Sequence, residues 1–530
     1  MKKKLLAGIA VLLLAFLYYY IELPAINIHE SGFWFFLVAV IGIIVVVYAI
    51  RKRLYGTIQL KQSKGIKAGV ILMLVIIAVY AVGSLLSSPI INAKKYQNLV
   101  TPEERDLTED IQEISFNQIP LLDKDSAVLL GNRKMGSMVD MVSQFEVSDL
   151  YSQINYQGQP YRVTPLVYAN AIKWLTNQKD GIPAYIRIDM ATQNTELVKL
   201  EDGIKYSESE LLNRNIYRHL RFRYPTYMFD QLSFEINDDG VPYWICPVKK
   251  FNIGLFGGQT IGKVVLCNAI TGETEEYKIK DCPQWVDRAY PADLLIDLYN
   301  YHGTLKNGFF NSVLGQKGCL KTTDGYNYLA LEDDVWVYTG ITSVSGDRSN
   351  VGFVLMNKRT METRYYSCAG AEEYSAMESA EGQVQNLKYT AAFPLLLNIS
   401  NEPTYFMALK DGAGLVKKYA MVNIQKYQNV AIGDTVSECE KAYVKLLASN
   451  GITSTDEKST GTNEISGKIK RIGQAVIDGN SHFYLALEEN DEVYDVPVVD
   501  YPEIVTYDVG DEITLEYSED SPANVVLGIK

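Results

Sequence analysis

Val264-Val-Leu-Cys-Asn268-Ala-Ile-Thr271-Gly-Glu-Thr-Glu-Glu-Tyr277 decides the fold of most of this chain. A β-branched apolar run ends at Asn268, whose short side chain can bond the backbone beyond it and start a turn. Thr271-Gly-Glu273 completes the reversal, and Glu-Glu-Tyr-Lys-Ile returns as the next strand. Read this way, the stretch is one hairpin of an antiparallel meander.

The pattern recurs in both directions along the chain. Phe353-Val-Leu-Met-Asn357-Lys-Arg-Thr360-Met-Glu-Thr-Arg-Tyr-Tyr366 matches it. Ile186-Arg-Ile-Asp189-Met-Ala-Thr192 is shorter and in phase, and Tyr419-Ala-Met-Val-Asn423 keeps the strand without the Thr. An aromatic strand precedes each hairpin. Gly181-Ile-Pro-Ala-Tyr185-Ile-Arg-Ile188, Gly240-Val-Pro-Tyr-Trp244-Ile-Cys-Pro and Asn401-Glu-Pro-Thr-Tyr405-Phe-Met-Ala-Leu409 share one order, and Asp324-Gly-Tyr-Asn-Tyr328-Leu-Ala-Leu331 reads as a copy without Pro. Helical stretches fall between the copies at Glu208–Leu220, Pro291–Tyr299, Glu372–Glu381 and Val436–Leu447. Strand runs alternating with single helices predict α+β modules, each a helix packed on a curved sheet.

The Asn-x-x-Thr-Gly-Glu turn with its aromatic strand resembles the PepSY group of bacterial extracytoplasmic domains, over residues 180–290 and 325–425. Asn268–Glu273 alone carries the turn complete. The resemblance implies small α+β modules that bind or restrain protein partners, lack catalytic residues, and stand beside membrane-bound or secreted hydrolases and sensors.

Beyond the repeats, Ser449–Asn463 is a Ser/Thr/Gly-rich linker. Residues 464–530 hold five short alternating strands, with Val509-Gly510-Asp511 before the fourth, and predict a small OB-like barrel. Toward the amino terminus, Ser126–Phe145 reads as a helix with Asp125 or Ser126 as its cap, and Tyr161–Asn177 as a strand turning helical after Pro165. The expected organisation is a transmembrane anchor over 1–88, a polar stalk over 89–125, α+β modules at 126–230, 231–320 and 321–448, the linker at 449–463 and the barrel at 464–530.

Three apolar runs, Leu5–Leu23, Phe33–Ile50 and Ala68–Leu86, are each about twenty residues, enough to cross a ~30 Å hydrocarbon core as helices. Lys2–Lys4 precede the first, and Arg51, Lys52, Arg53, Lys61, Lys64 and Lys67 fill the second link, whereas Pro24–Gly32 has no Lys or Arg. Lys/Arg excess marks the cytoplasmic side. The expectation is a multi-pass protein of a bacterial plasma membrane, held in the bilayer through residues 5–86, with a cytoplasmic amino terminus and an extracytoplasmic body. Leu5–Leu17 behind three lysines also fits a signal peptide, although Tyr18-Tyr-Tyr-Ile-Glu22 follows the apolar stretch in place of a clear small-residue cleavage site. Cleavage would leave the body on the same side.

The chain has a formal charge of −13. Residues 1–95 carry eleven Lys/Arg and two Glu, a net of +9, which leaves −22 for the body. Such a body is not drawn to nucleic acid. The six cysteines (Cys246, Cys267, Cys282, Cys319, Cys368, Cys439) form no CxxC pair, so a zinc site has no support. Cys246 and Cys267 are the pair to test for a disulfide, with free buried thiols as the alternative.

No cofactor, metal or catalytic residue is assigned. Gly257-Gly-Gln-Thr-Ile-Gly262-Lys263 matches much of a phosphate-binding loop, yet Val264 stands where the hydroxyl belongs and a strand follows where a helix is needed. The histidines His29, His219, His302 and His482 are scattered. Acid clusters at Asp238/Asp239, Glu332–Asp334 and Glu488–Glu492 could hide a glycosidase pair, although turn acids are usually solvated. Tyr243, Trp244, Trp285, Trp336, Tyr405 and Phe406 are the candidates for a partner surface, because Trp and Tyr dominate binding hot spots. The expected function is a non-enzymatic membrane-anchored scaffold or regulator that binds an envelope protein or peptide. The alternatives are an envelope hydrolase with a carboxylate site and an accessory subunit of a membrane transporter. A homo-oligomer stays open.

Overall fold

The structure is a computed structural model of the 530-residue chain. It describes residues 2–54, 63–111, 120, 122–344, 349–450, 452, 463–477, 480–488, 490, 492–498, 501–518 and 523–530. The chain divides into two compact units, Met1–Ser449 and Asn450–Lys530. Most of the expected linker lies outside the described residues, as do Lys61, Glu489 and Asp491.

In the first unit four sheets follow one another, each built on an antiparallel four-strand meander in sequence order, to which short strands add in the first, third and fourth. The first runs through Ser152–Tyr156, Gln159–Tyr168, Ile182–Asp189 and Thr195–Ile204. The second comprises Ser233–Ile236, Pro242–Ile253, Gly257–Asn268 and Thr274–Lys278. Asn327–Leu331, Asp334–Ser343, Ser349–Asn357 and Thr363–Ala371 make the third, and Leu395–Ile399, Glu402–Lys410, Val416–Asn423 and Val430–Gly433 the fourth. A helix follows each sheet: Ile216–Arg223, Ala292–Thr304, Glu373–Gln383 and Val436–Ser449. The expected module 321–448 is therefore two copies.

The turn behaves as its chemistry requires. Asn268 Oδ1 accepts the N–H groups of Ile270 (2.9 Å) and Thr271 (3.0 Å), and Thr271 Oγ1 accepts that of Glu273 (3.2 Å). Asn357 with Thr360 repeats these three bonds, and so does Asp189 with Thr192. The last turn residue has positive φ in all three copies: Gly272, Met361 and Gln193.

Register corrects two of the aligned copies. In the second copy Tyr243 faces Asn268, and the equivalent pairs are Tyr161 with Asp189, Trp336 with Asn357 and Thr404 with Asn423. The counterpart of Gly240-Val-Pro242 is therefore Gly158-Gln-Pro160, and Gly181-Ile-Pro183 begins the next strand. In the third copy the counterpart is Asp333-Asp334-Val335, while Asn327–Leu331 is the strand before it.

Neighbouring copies share cores. Trp244, Cys246, Val265 and Cys267 pack with Tyr185, Ile186 and Phe234, whereas Ile245, Val264 and Leu266 pack with Leu295, Val337 and Val354. Successive side chains point to opposite faces, so the second sheet is covered on both sides. Stacked modules that complete each other's cores are the logic of repeat proteins.

The amino-terminal segments depart from expectation in four places. Among the described residues two helices, Ser31–Lys52 and Lys64–Ser87, are long and apolar enough to cross a membrane, and neither window is buried in protein. The third expected span is a helix, Lys2–Glu22, whose apolar part, Ala7–Glu22, is shorter than those two. The expected stalk is packed: helix Pro89–Gln97 buries Tyr96, and Glu103–Arg105 pairs in parallel with the edge strand Thr363–Ala371. Helix Lys124–Gly136 is capped by Asp123, whose carboxylate accepts Ser126 N–H at 2.8 Å. Pro165 lies within strand Gln159–Tyr168, and Asn170 caps the helix Ala171–Asn177.

The second unit is a closed five-stranded barrel, consistent with the OB-like expectation. Its core comprises Ile469, Leu485, Tyr494, Val496, Ile504, Leu515 and Val526.

Candidate functional site

Two features of the first unit carry functional chemistry: a junction with the apolar helices and a cleft between the modules. At the junction, the tip of the longest hairpin docks on the end of helix Lys64–Ser87. Ser87 Oγ accepts the N–H groups of Leu255 (2.9 Å) and Phe256 (3.2 Å) and donates to Gly83 O (2.6 Å). Tyr96 OH donates to Ser87 O at 2.7 Å. The Phe256 ring packs on Tyr80 and Trp34, with centroids 4.9 and 6.2 Å apart. Gly254 and Gly258 have φ of +60° and +63°, and a Cβ on Gly257 would strike the Ser87 carbonyl. These glycines permit a close approach of backbones, so the segment that resembles a phosphate loop is a docking hairpin. Its Lys263 bonds Glu276 at 2.6 Å.

The link after the first helix meets the same body. Ile26 N–H donates to Pro225 O (2.7 Å), Arg221 Nε–H to Leu23 O (2.8 Å) and Asn27 Nδ2 to Thr226 O (3.0 Å). Glu30 pairs with Lys249 at 3.3 Å.

The cleft, about 710 Å3, opens where all four copies converge. Its wall includes Gln153 and Arg162 of the first copy, Ser233 and Arg288 of the second, Tyr328 and Lys358 of the third, and Lys410 of the fourth. Asp125, Asp149 and Asp293 also line it, and Asp123 pairs with Lys410.

The floor is unusual for its buried polarity. Arg162, Gln153 and Lys358 are 5%, 4% and 2% exposed, and Glu235 and Asp287 lie buried behind them. Asp287 N–H donates to Glu235 Oε2 (2.9 Å), Asn155 N–H to Asp287 Oδ2 (2.7 Å) and Ser233 Oγ to Glu235 Oε1 (3.1 Å). Arg162 Nε–H reaches Leu122 O at 3.1 Å, and Lys358 Nζ stands 4.5 Å over the Tyr328 ring. Among the described residues both amide atoms of Gln153, and Asp287 Oδ1, have no hydrogen-bond partner. Burial, then repulsion from Glu235, raises the Asp287 carboxyl well above the usual range; burial raises Glu235 as well. Burial, then the Arg288 charge, brings Lys358 down to about 7.

The repeat exposes how these groups arose. Gln153 occupies the register position of Phe234, Tyr328 and Leu396, and Arg162 that of Trp244, Val337 and Tyr405. Glu235 stands where the other copies have Ile154, Leu329 and Leu397. Lys358 follows its turn Asn where the others place Met190, Ala269 and Ile424, and in all four copies this residue's N–H bonds the same strand, at Pro160, Pro242, Val335 or Pro403. Four core positions of the repeat have been given to polar side chains around one cleft. Aligning the copies in the correct register would have found them.

The partner-surface candidates lie elsewhere. Trp244, Trp336, Tyr405 and Phe406 are buried. Trp244 Nε1–H donates to Tyr206 O and Trp336 Nε1–H to Leu331 O, and Tyr405 OH binds Asn350 and Ala371. These four rings are core rather than surface. Tyr243 and Trp285 are half-buried and pack against each other, with ring planes tilted by 50° and centroids 5.2 Å apart. The acids of Glu332–Asp334 hold turns together: Glu332 binds Arg364, Asp333 accepts Asn155 and Gln284, and Asp334 binds Asn357 and Arg359. Asp238 and Asp239 are exposed at a hairpin tip. His29, His219 and His302 bind backbone carbonyls, at Leu255, Gly272 and Gln97, and His482 binds Asp495. All six cysteines are buried and free; Cys246 faces Val265 across the strands, and Cys267 faces Trp244. Among the described residues no group of three His, Cys, Asp or Glu is placed to hold a metal.

No protein-family model matches the chain, and no curated protein matches it.

Proposed function

We propose that this protein is a non-enzymatic scaffold or regulator of a bacterial cell envelope, anchored in the plasma membrane, that receives an envelope protein or peptide in the four-module cleft. The observation that carries the binding reading is the cleft itself. Burying polar side chains is costly, and here four of them, of which Gln153 has no hydrogen-bond partner among the described residues, replace the repeat's own apolar core residues around a cavity large enough for a ligand.

Location rests on charge and on the junction. The Lys/Arg-rich link that joins the two long apolar helices belongs on the cytoplasmic side. The link 23–30 and the body then share the opposite face, and they touch each other through Leu23, Asn27, His29 and Glu30. The junction would hold the cleft at a fixed orientation to the bilayer, which suits a protein that presents a ligand or restrains a neighbour. The recurrent Asn/Asp-x-x-Thr turn supports the likeness to PepSY-type binding modules.

In-membrane photo-crosslinking tests the reading. A crosslinking residue at Asp149, on the cleft wall, is expected to capture a defined envelope protein or peptide in living cells, identified by mass spectrometry. The same residue at Glu201, on the last strand of the first sheet and outside the cleft wall, is expected not to capture it. Recovery of self-contacts alone at Asp149 overturns the proposal.

A further inference from the structure

We infer that the cleft floor, Arg162 and Lys358 with the Gln153 amide, binds a single anionic head group, a carboxylate or a phosphate. The inference deepens the ligand-binding reading above and rests on it.

The floor holds two buried cations that, among the described residues, no carboxylate pairs with directly. Among the described residues neither Arg162 nor Lys358 has a carboxylate oxygen within ion-pair distance, although both are almost wholly buried. The acids behind them are engaged with backbone N–H groups. Gln153 and Arg162 face each other directly across two paired strands, and the Gln153 amide is unpartnered on both atoms. Arg presents a planar fork that matches carboxylate or phosphate oxygens, and Lys adds a compact charge. A bound anion would use the Arg162 fork, the Lys358 ammonium and the Gln153 Nε2–H together.

Charge limits the size of that anion. Asp125, Asp149 and Asp293 line the same cleft, and the body around it is strongly acidic. A polyanion would meet repulsion outside the floor, whereas one head on a neutral or basic ligand would not. The positions themselves argue that the polarity is selective. Each is apolar in all other copies save for Tyr328 and Tyr405, whose rings are packed, so an apolar residue fits the backbone at every one of them.

The experiment is titration of the full chain in nanodiscs with inorganic phosphate and, separately, acetate. Saturable binding of at least one is expected. Phosphate alone assigns a phosphoryl head, and acetate alone assigns a carboxylate. Lys358→Met and Gln153→Leu, which restore side chains that other copies use, are expected to weaken that binding about tenfold or more each. Two results overturn the inference: no saturable binding by the wild type up to ~10 mM of either anion, or unchanged binding in both variants, each verified as folded by its melting curve. Partner capture at Asp149 is scored independently. Capture without anion binding defeats this inference alone, and anion binding without capture defeats the scaffold reading alone.

Discussion

Lys358 is the residue where stability and function pull apart. A charged side chain in a site that the other copies fill with Met190, Ala269 or Ile424 costs folding energy. Lys358→Met is therefore expected to raise stability by about 1–3 kcal/mol near neutral pH, read as a higher urea midpoint at unchanged slope. The pH dependence has a definite sign. Its folded pKa of about 7 lies below the unfolded value of about 10.4. Between them the unfolded state binds more protons, so the lysine's cost falls as pH rises. The advantage of the Met variant should be full below pH 7 and shrink toward pH 10. The groups facing Lys358 are Arg162, Arg288, Glu235, Asp287 and the Tyr328 ring; the two carboxyl groups and the Tyr328 hydroxyl, all raised by burial, have the opposite slope. Asp287, with its raised pKa, contributes stability that is present below about pH 4 and is lost as pH rises through its folded value. Asp287→Asn should flatten that acid-side decline in melting temperature, and an unchanged profile would contradict the assigned protonation.

At the scale of elements, the Asn/Asp turn is the unit of construction. Asn268→Ala removes an acceptor from two N–H groups, and a loss of about 1–2 kcal/mol follows from the value of such caps. Gln193 takes the left-handed conformation that Gly272 takes in its own copy. Gln193→Gly should stabilise by up to about 1 kcal/mol, because a side chain there costs more than the extra freedom of glycine. Both are checked by chemical unfolding of the full chain. The turn was readable in the sequence because its bonds are local: six residues contain the whole device. Three of the helices between copies were readable for the same reason, as were the five strands of the barrel, whereas the stretch expected as helix over Glu208–Leu220 is α-helical only from Ile216. Strand register was not readable. The first copy contains Gly-x-Pro twice, at Gly158 and at Gly181, and only pairing across the sheet separates them. The cleft depends on that register. With Gly181 in the wrong role, Arg162 and Gln153 look like ordinary strand residues, and the aromatic side chains of the repeats look like the better site. Burial then reverses that preference, since a strand covered on both faces spends Trp244 on one core and Ile245 on the next.

For the whole molecule the decisive question is which side of the membrane each part occupies. The junction ties the link 23–30, the end of helix Lys64–Ser87 and the hairpin tip into one surface, so these must lie together. Under the proposed membrane anchoring, the far ends of the two long helices, at Arg51 and Lys64, lie on the opposite face. All six native cysteines are buried, which gives a quiet background for thiol labelling. Asp238→Cys, at an exposed hairpin tip, is expected to react with a membrane-impermeant maleimide in cells whose outer surface is accessible. Arg51→Cys is expected to react only after permeabilisation. The reverse pattern would place the body in the cytoplasm. The junction can be tested in the same labelled cells. Ser87→Ala leaves the Leu255 and Phe256 N–H groups without their acceptor, a penalty of about 1–3 kcal/mol. If the junction holds the body at a fixed distance from the bilayer, this variant should increase proteolytic cutting in the hairpin 253–258 while the rest of the body stays resistant. Equal protection in variant and wild type would mean that the apolar contacts of Phe256 with Trp34 and Tyr80 suffice to hold the body to its anchor.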